Sequence, residues 1–194
     1  QKVYSLPQEG EALRVIEARC REVGAALTVI QPTGEDFTSR NRDFILQLLG
    51  LHFAPREAER SLCRSAIEAP IFGRWSQLTA QPRVFFDGAH NAAGIGALCE
   101  LVNRQPESEC NIFLNTMRER DLGAFGQMLL QQINKKVNLY LFPMPGDNYY
   151  PEAPQPLSAA DDTAIRQLVT EPQKLHLFTG SMGLYAELRR RFAL

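Results

Sequence analysis

After the first third of the chain, short apolar strands and helical stretches alternate four times, and this rhythm constrains the fold more than any other feature. Arg83-Val84-Phe85-Phe86 is a strand that ends at Asp87-Gly88, and residues 92–104 follow as a helix. The spacing then predicts strands over 110–114, 137–142 and 174–178, with helices over 122–132, 159–169 and 181–192. The last helix gathers arginines near its end, where positive charge suits the helix dipole. Repeated strand–helix units close through right-handed crossovers into a mostly parallel sheet covered by helices. The expected class is α/β, a Rossmann-like, mostly parallel sheet with helices on both faces.

The first part of the chain has a different grammar. Residues 10–22 place Leu13, Ile16 and Cys20 at helical spacing, and Gly24 closes that helix. Residues 25–30 read as one short strand ended by Gln31-Pro32-Thr33-Gly34. Two more helices are expected over 41–51 and 54–69, the second opened by Pro55 and stopped by Pro70. A single strand cannot form a sheet alone. Residues 1–70 therefore read as a partial α/β segment, the tail of another domain, and residues 71–194 as a complete one.

Composition excludes several classes. Lys+Arg number 21 and Asp+Glu 22, a balance that argues against nucleic acid or an anionic membrane as partner. No apolar run approaches the ~18 residues of a membrane span, and no signal-peptide core opens the chain. Cys20, Cys63, Cys99 and Cys110 are widely spaced with no C-x-x-C pair, which argues for reduced thiols in a cytoplasmic setting and against a zinc site. The expected metal ligands within this chain are none.

In a doubly wound domain, ligands bind beyond the carboxyl ends of the strands. That rule selects Asp87-Gly88-Ala89-His90-Asn91, Asn115 to Asp121, the Pro-rich loop 143–156 and Thr179-Gly180-Ser181. An Asp at a strand end can accept from two ribose hydroxyls, and a charge-assisted bond is roughly twice as strong as a neutral one. His90, at a helix entrance, can donate to a phosphate, and Asn91 can meet a base edge or cap the helix. Arg74, after Gly73, can clamp phosphate or stack on a base, or be a solvated arginine. Trp75 reads as core. Ser181 reads as a helix cap or a nucleotide-facing hydroxyl. His52 and His176 read as packing or surface histidines. No G-x-x-x-x-G-K-[ST] occurs, and no Lys follows any Gly, so the chain carries no P-loop.

Gly73-Arg74 followed by a strand running into Asp87-Gly88-Ala89-His90-Asn91 resembles the C-terminal domain of folylpolyglutamate synthase/dihydrofolate synthase, a branch of the Mur ligase superfamily. Met117-Arg118-Glu119-Arg120-Asp121 is similar to the family's Asp-Lys-Asp stretch, and Phe178-Thr179-Gly180-Ser181 to its closing Thr-Gly-Ser strand end. Residues 9–27 are similar to the end of its central ATPase domain, and residues 36–49 to the helix that follows. Phe72, Trp75 and Ala92 depart from the family's usual Pro, Phe or Leu, and Pro.

The resemblance implies an ATP-dependent ligase. ATP phosphorylates a carboxylate, and the amino group of glutamate attacks the acyl phosphate to form an amide on dihydropteroate or folate. It implies Arg74 and His90 at the phosphates as the catalytic pair. Asp87 would lie at the ribose or fix the closed state, Asn91 near the base, and Ser181 at the same nucleotide. Magnesium ligands and the P-loop are expected in a central domain, so this part alone is expected to be inactive. The expected protein is a cytoplasmic monomer. Two alternatives stand beside it: another Mur-type amide ligase, and a non-catalytic nucleotide-binding module.

Overall fold

The computed structural model describes residues 1–34, 37–53, 57–69 and 71–192. The helix opening expected at Pro55, the stop at Pro70 and the helix entry at Asp36 lie outside the described residues. The chain divides into two compact units, Gln1–Ala69 and Pro70–Leu194.

The first unit contains β1 (Lys2–Ser5), α1 (Gly10–Glu22), β2 (Ala26–Val29), α2 (Phe37–Phe53) and α3 (Glu57–Glu68). The expectation of a lone strand is corrected here. β1 and β2 pair in parallel, from Lys2 opposite Ala26 to Ser5 opposite Val29, with α1 as the crossover. Lys2-Val3-Tyr4-Ser5 is too short to display an alternating pattern, so only its partner strand was legible. At the end of α1, Gly24 takes φ 65° and Ala25 N–H bonds Cys20 O at 2.8 Å, which stops the helix.

The second unit contains β3 (Ser76–Thr79), β4 (Val84–Asp87), α4 (Ala92–Asn103), β5 (Glu109–Leu114), α5 (Leu122–Gln132), β6 (Lys136–Leu141), β7 (Ser158–Ala159), α6 (Asp162–Leu168), β8 (Leu175–Thr179) and α7 (Met182–Phe192). Its six strands lie in the order β3-β4-β8-β5-β6-β7, parallel except for β3 against β4. Two edge strands, β3 and β7, were not expected; both are short and polar. α6 starts later than the spacing predicts because Asp161 caps it, accepting from Ala164 N–H at 2.8 Å.

The period of two along each strand sorts the core onto the sheet's two faces. Phe85, Ile112, Leu139 and Leu177 join Ile95 and Leu98 of α4 and Leu129 of α5 on one face. Phe86, Phe113, Phe142 and Phe178 join Ile165 of α6 and Leu184 and Leu188 of α7 on the other. Phe113 stacks on Phe178 with centroids 4.6 Å apart. The four cysteines are free. Burial pushes the thiols of Cys99 and Cys110 up to about 11 and about 12, which keeps them unreactive.

At the amino ends of the strands lies a buried polar ladder. Asn138 Nδ2 donates to Asn111 Oδ1 at 2.9 Å, and Asn111 Nδ2 approaches His176 Nδ1 at 3.5 Å. His176 Nε2 donates to Glu171 O at 2.9 Å. That pattern requires a neutral ring, with Nδ1 accepting. Burial holds the His176 pKa below its ordinary value; the backbone bond to Glu171 and the charges of Glu171 and Glu107 oppose this, while Lys174 adds to it. The unfolded chain then binds the extra proton, so folding stability is full above pH ~6.5 and falls as pH drops through that value. Denaturation midpoints at pH 7.5 and pH 5 should show that loss, and His176→Gln should remove the part of it that this ring causes.

Candidate functional site

β8 lies between β4 and β5. The connections leaving β4 and β5 lead to α4 and α5 on one face, whereas β8 leads to α7 on the other. Loops therefore part on both sides of the β8 carboxyl end, which opens the crevice where α/β sheets bind ligands. Its rim is formed by Asp87 to Asn91, Asn115 to Arg120 and Thr179 to Met182.

Asp87 is the organising residue of this rim. It is 6% exposed and ends β4. Its Oδ2 accepts from Trp75 N–H at 2.8 Å and its Oδ1 from Ala89 N–H at 2.8 Å. Gly88 N–H adds a bond to Gly73 O at 2.8 Å, and Gly73 N–H bonds Ser76 Oγ at 2.9 Å. The turn that carries Arg74 is thus knotted to the strand end. Burial pushes the Asp87 carboxyl up from its usual range, against the two N–H bonds and the nearby Arg74 charge, which pull it down. Trp75 takes φ 46°, a left-handed conformation that costs a non-glycine residue about 1–3 kcal/mol. Its ring stacks on Phe85 with centroids 4.6 Å apart, so it is half-buried and packs against the core. Met182 lies over both glycines of the knot: a Cβ on Gly88 would stand 2.4 Å from its sulfur.

His90 Nδ1 lies 2.8 Å from Gly88 O. A carbonyl only accepts, so Nδ1 carries a proton and that nitrogen is committed to its own loop. Asn91 caps α4, its Oδ1 accepting from Gly94 N–H at 2.8 Å. That oxygen is committed to the helix, and only its amide NH₂ is left for another partner. Ser181 Oγ accepts from Gly183 N–H at 3.1 Å, so it too serves the entry of its helix. Thr179 Oγ1 reaches Ala89 O at 3.4 Å and joins the β8 end to the His90 loop. Arg74, Asp87 and His90 thus belong to one knot, with Asn91 beside it and Ser181 next to the methionine that covers it.

Other rim residues lie in segments the sequence reading selected, without being given a role there. Arg120 donates to His90 O at 2.8 Å, and Tyr150 Oη donates to Arg120 O at 2.7 Å. Arg118 Nε donates to Tyr149 O at 2.8 Å. Asn115 Nδ2 bonds Phe142 O at 2.7 Å and Tyr150 O at 3.1 Å, strapping the Pro-rich loop to β5. Thr116, 1% exposed, has a buried Oγ1 with no partner among the described residues. The strand-end rule had selected this segment, and the signal for its arginines was their alternation at 118 and 120. Arg118 and Arg120 give the rim positive charge, and Arg74 lies on the turn tied to it through Asp87. Among the described residues no group of three or more His, Cys, Asp or Glu could hold a metal ion. Asp87, with both oxygens on backbone N–H groups, does not fit magnesium. No described helix is long and apolar enough to cross a membrane.

No family model matches the chain, and no curated protein does. Solved structures do. A bifunctional folylpolyglutamate synthase/dihydrofolate synthase from Yersinia pestis, complexed with AMPPNP and Mn ion, matches with a TM-score of 0.75 and 17% identity over 98% of this chain and 53% of its own. A Mycobacterium tuberculosis folylpolyglutamate synthase complexed with ADP matches with a TM-score of 0.73 and 15% identity, over 98% of this chain and 55% of its own. A bifunctional enzyme of the same kind, with Mn, AMPPNP and L-glutamate bound, has a TM-score of 0.71 and 17% identity, covering 93% of this chain and 51% of its own. The chain thus spans about half the length of the solved structures it matches. The fold that the resemblance implied is the fold found.

Proposed function

We propose that this chain is the C-terminal half of an ATP-dependent ligase that adds glutamate to dihydropteroate or folate. In this reading residues 1–70 end the central ATPase domain, and residues 71–194 form the Mur-ligase-type C-terminal domain that closes over the nucleotide. What supports the proposal is the knot of Asp87, Gly73 and Ala89, which ties the turn that carries Arg74 to the loop that carries His90.

ATP supplies the phosphoryl group: a carboxylate oxygen of the acceptor takes it, ADP leaves, and the glutamate amine then displaces phosphate to form the amide. The chain's own residues bind and orient. Arg74 brings a guanidinium to the phosphates, which spread charge over their oxygens in transfer. His90 offers Nε2 to the same group. Asp87 stands at the ribose or fixes the site's arrangement, Asn91 offers its amide near the base, and Ser181 lies at the edge of the nucleotide. Magnesium belongs to the central domain, beside the phosphate-binding loop that these residues lack. The whole enzyme is a cytoplasmic monomer serving one-carbon metabolism.

A non-catalytic α/β module predicts that Arg74, Asp87 and His90 would not share one site, and their common knot speaks against it. A sister Mur-type ligase would share the knot and differ in acceptor. The test is ligation of labelled glutamate to dihydropteroate and to tetrahydrofolate, with the full-length protein and the 194-residue chain side by side. ATP-dependent product is expected from the full-length protein alone. Its absence with both acceptors would overturn the folate assignment.

A further inference from the structure

We infer that Phe72 is a positioning residue: with Trp75 it forms an aromatic clip astride β4, and the clip fixes the crest of the turn on which Arg74 stands. The role of Arg74 rests on the nucleotide reading above, whereas the clip itself rests on ring contacts that need no ligand.

Phe85 and Phe86 are neighbours on β4, so their rings leave the sheet on opposite faces. Phe85 belongs to the cluster covered by α4 and α5, and Phe86 to the one covered by α6 and α7. The two aromatic residues that bracket Gly73-Arg74 take one ring each. Trp75 stacks on Phe85, with centroids 4.6 Å apart and planes at 21°. Phe72 stacks on Phe86, with centroids 6.0 Å apart and planes at 15°. Tyr185 of α7 closes the second grip, 4.2 Å from the Phe72 centroid and 5.4 Å from that of Phe86. Met182, three residues earlier on the same helix face, lies against the glycine between: a Cβ on Gly73 would stand 2.7 Å from its Cε.

The backbone between the two grips is tightly folded. Arg74 N–H bonds Ile71 O at 3.1 Å, which closes a four-residue turn, and Gly73 takes φ 82° at its third position, where a positive φ calls for glycine. Trp75 follows at φ 46°, a conformation that persists only while its surroundings over-determine it. Arg74 itself is exposed, so its accuracy comes from the backbone beneath it. Phe72 is 49% exposed, so its ring adds little to the core, and its contacts act on the turn. A turn gripped only through Trp75 tips about that stack and carries the Arg74 guanidinium with it. A displacement of about 1 Å can cost ~10²-fold in rate.

Phe72→Ala and Tyr185→Ala each remove one half of the contact on the α7 side, whereas Phe72→Tyr and Tyr185→Phe keep both rings. The first measurement is amide hydrogen exchange at Gly73 and Arg74 in the 194-residue chain. Both alanine variants should speed it by ~10-fold or more while amides of β5 keep their protection, and both conservative variants should exchange as the wild type does. The second is ATP-dependent turnover of the full-length protein. The alanine variants should lower it by ~10-fold or more, and the conservative variants should restore it. In an Arg74→Ala background Phe72→Ala should add no more than ~2-fold, because both changes remove the same contribution. Unchanged exchange at both amides, a loss in Phe72→Ala that Tyr185→Ala does not share, or costs that multiply with Arg74→Ala would each overturn the inference. If Tyr185→Ala does not fold, Phe72→Ala, whose ring is half-exposed, decides both measurements. If the wild-type protein shows no ATP-dependent turnover, the nucleotide reading fails, and the exchange result alone decides whether Phe72 holds the turn.

Discussion

His90→Ala in the full-length protein is expected to lower ATP-dependent turnover by at least ~10²-fold, the loss that follows removal of one preorganised charge-stabilising group. The folded state should survive the change. His90 is half-buried, and its ring makes one bond, within its own loop, to Gly88 O. Its backbone carbonyl, which accepts from Arg120, is untouched by the substitution. The denaturation midpoint should therefore move by less than ~1 kcal/mol while the rate collapses. Asp87→Ala is a poorer probe of the same site. It strands the N–H groups of Trp75 and Ala89, each costing ~1–3 kcal/mol when left without an acceptor, so lost folding would mix with lost chemistry. Wild-type turnover in His90→Ala would remove this histidine from the site.

Reading the chain from sequence worked where strands are apolar and long. β4, β5 and β8 are buried runs that hydrophobicity alone reveals, and β6 shows itself by Val137, Leu139 and Leu141 alternating with polar or partly buried residues. β1, β3 and β7 were missed because Lys2-Val3-Tyr4-Ser5, Ser76-Gln77-Leu78-Thr79 and Ser158-Ala159 lie at sheet edges, where pairing and not burial makes the strand. The same missed edge hid part of the site. β3 runs antiparallel to β4, with Ser76 opposite Phe86, and this pairing returns Trp75 N–H to Asp87 from twelve positions earlier. No local spacing announces a backbone donor. Strand-end logic selected the loops that rim this crevice, with Asp87, His90, Asn91 and Ser181 on them, whereas Arg74 was named from its place after Gly73. It could not tell that Asn91 and Ser181 each give an oxygen to their own helices, nor that Thr116 keeps a hydroxyl without a partner. Those facts depend on which backbone groups the fold leaves unsatisfied, and they emerge only once the crevice is built.

Gly180→Ala should destabilise the second unit by at least ~3 kcal/mol, a loss large enough to need a named mechanism. Two are present. Gly180 takes φ 106°, outside the range that L side chains adopt, which costs ~1–3 kcal/mol. A Cβ there would also stand 2.2 Å from Asn115 O and 2.8 Å from Leu114 Cδ1, so backbone would have to move. That movement would disturb the end of β5 against β8, where Asn115 N–H bonds Thr179 O at 3.3 Å. Gly146 separates the two causes. It takes φ 89°, yet nothing lies within 4 Å of the Cβ position. Gly146→Ala should therefore cost only the backbone term, about 1 kcal/mol. The difference between the two urea midpoints, converted with a common m-value, isolates the close approach. Equal costs at the two positions would mean that the β5–β8 crevice has room for a methyl group, and the tight strand-end geometry argued for this site would be wrong.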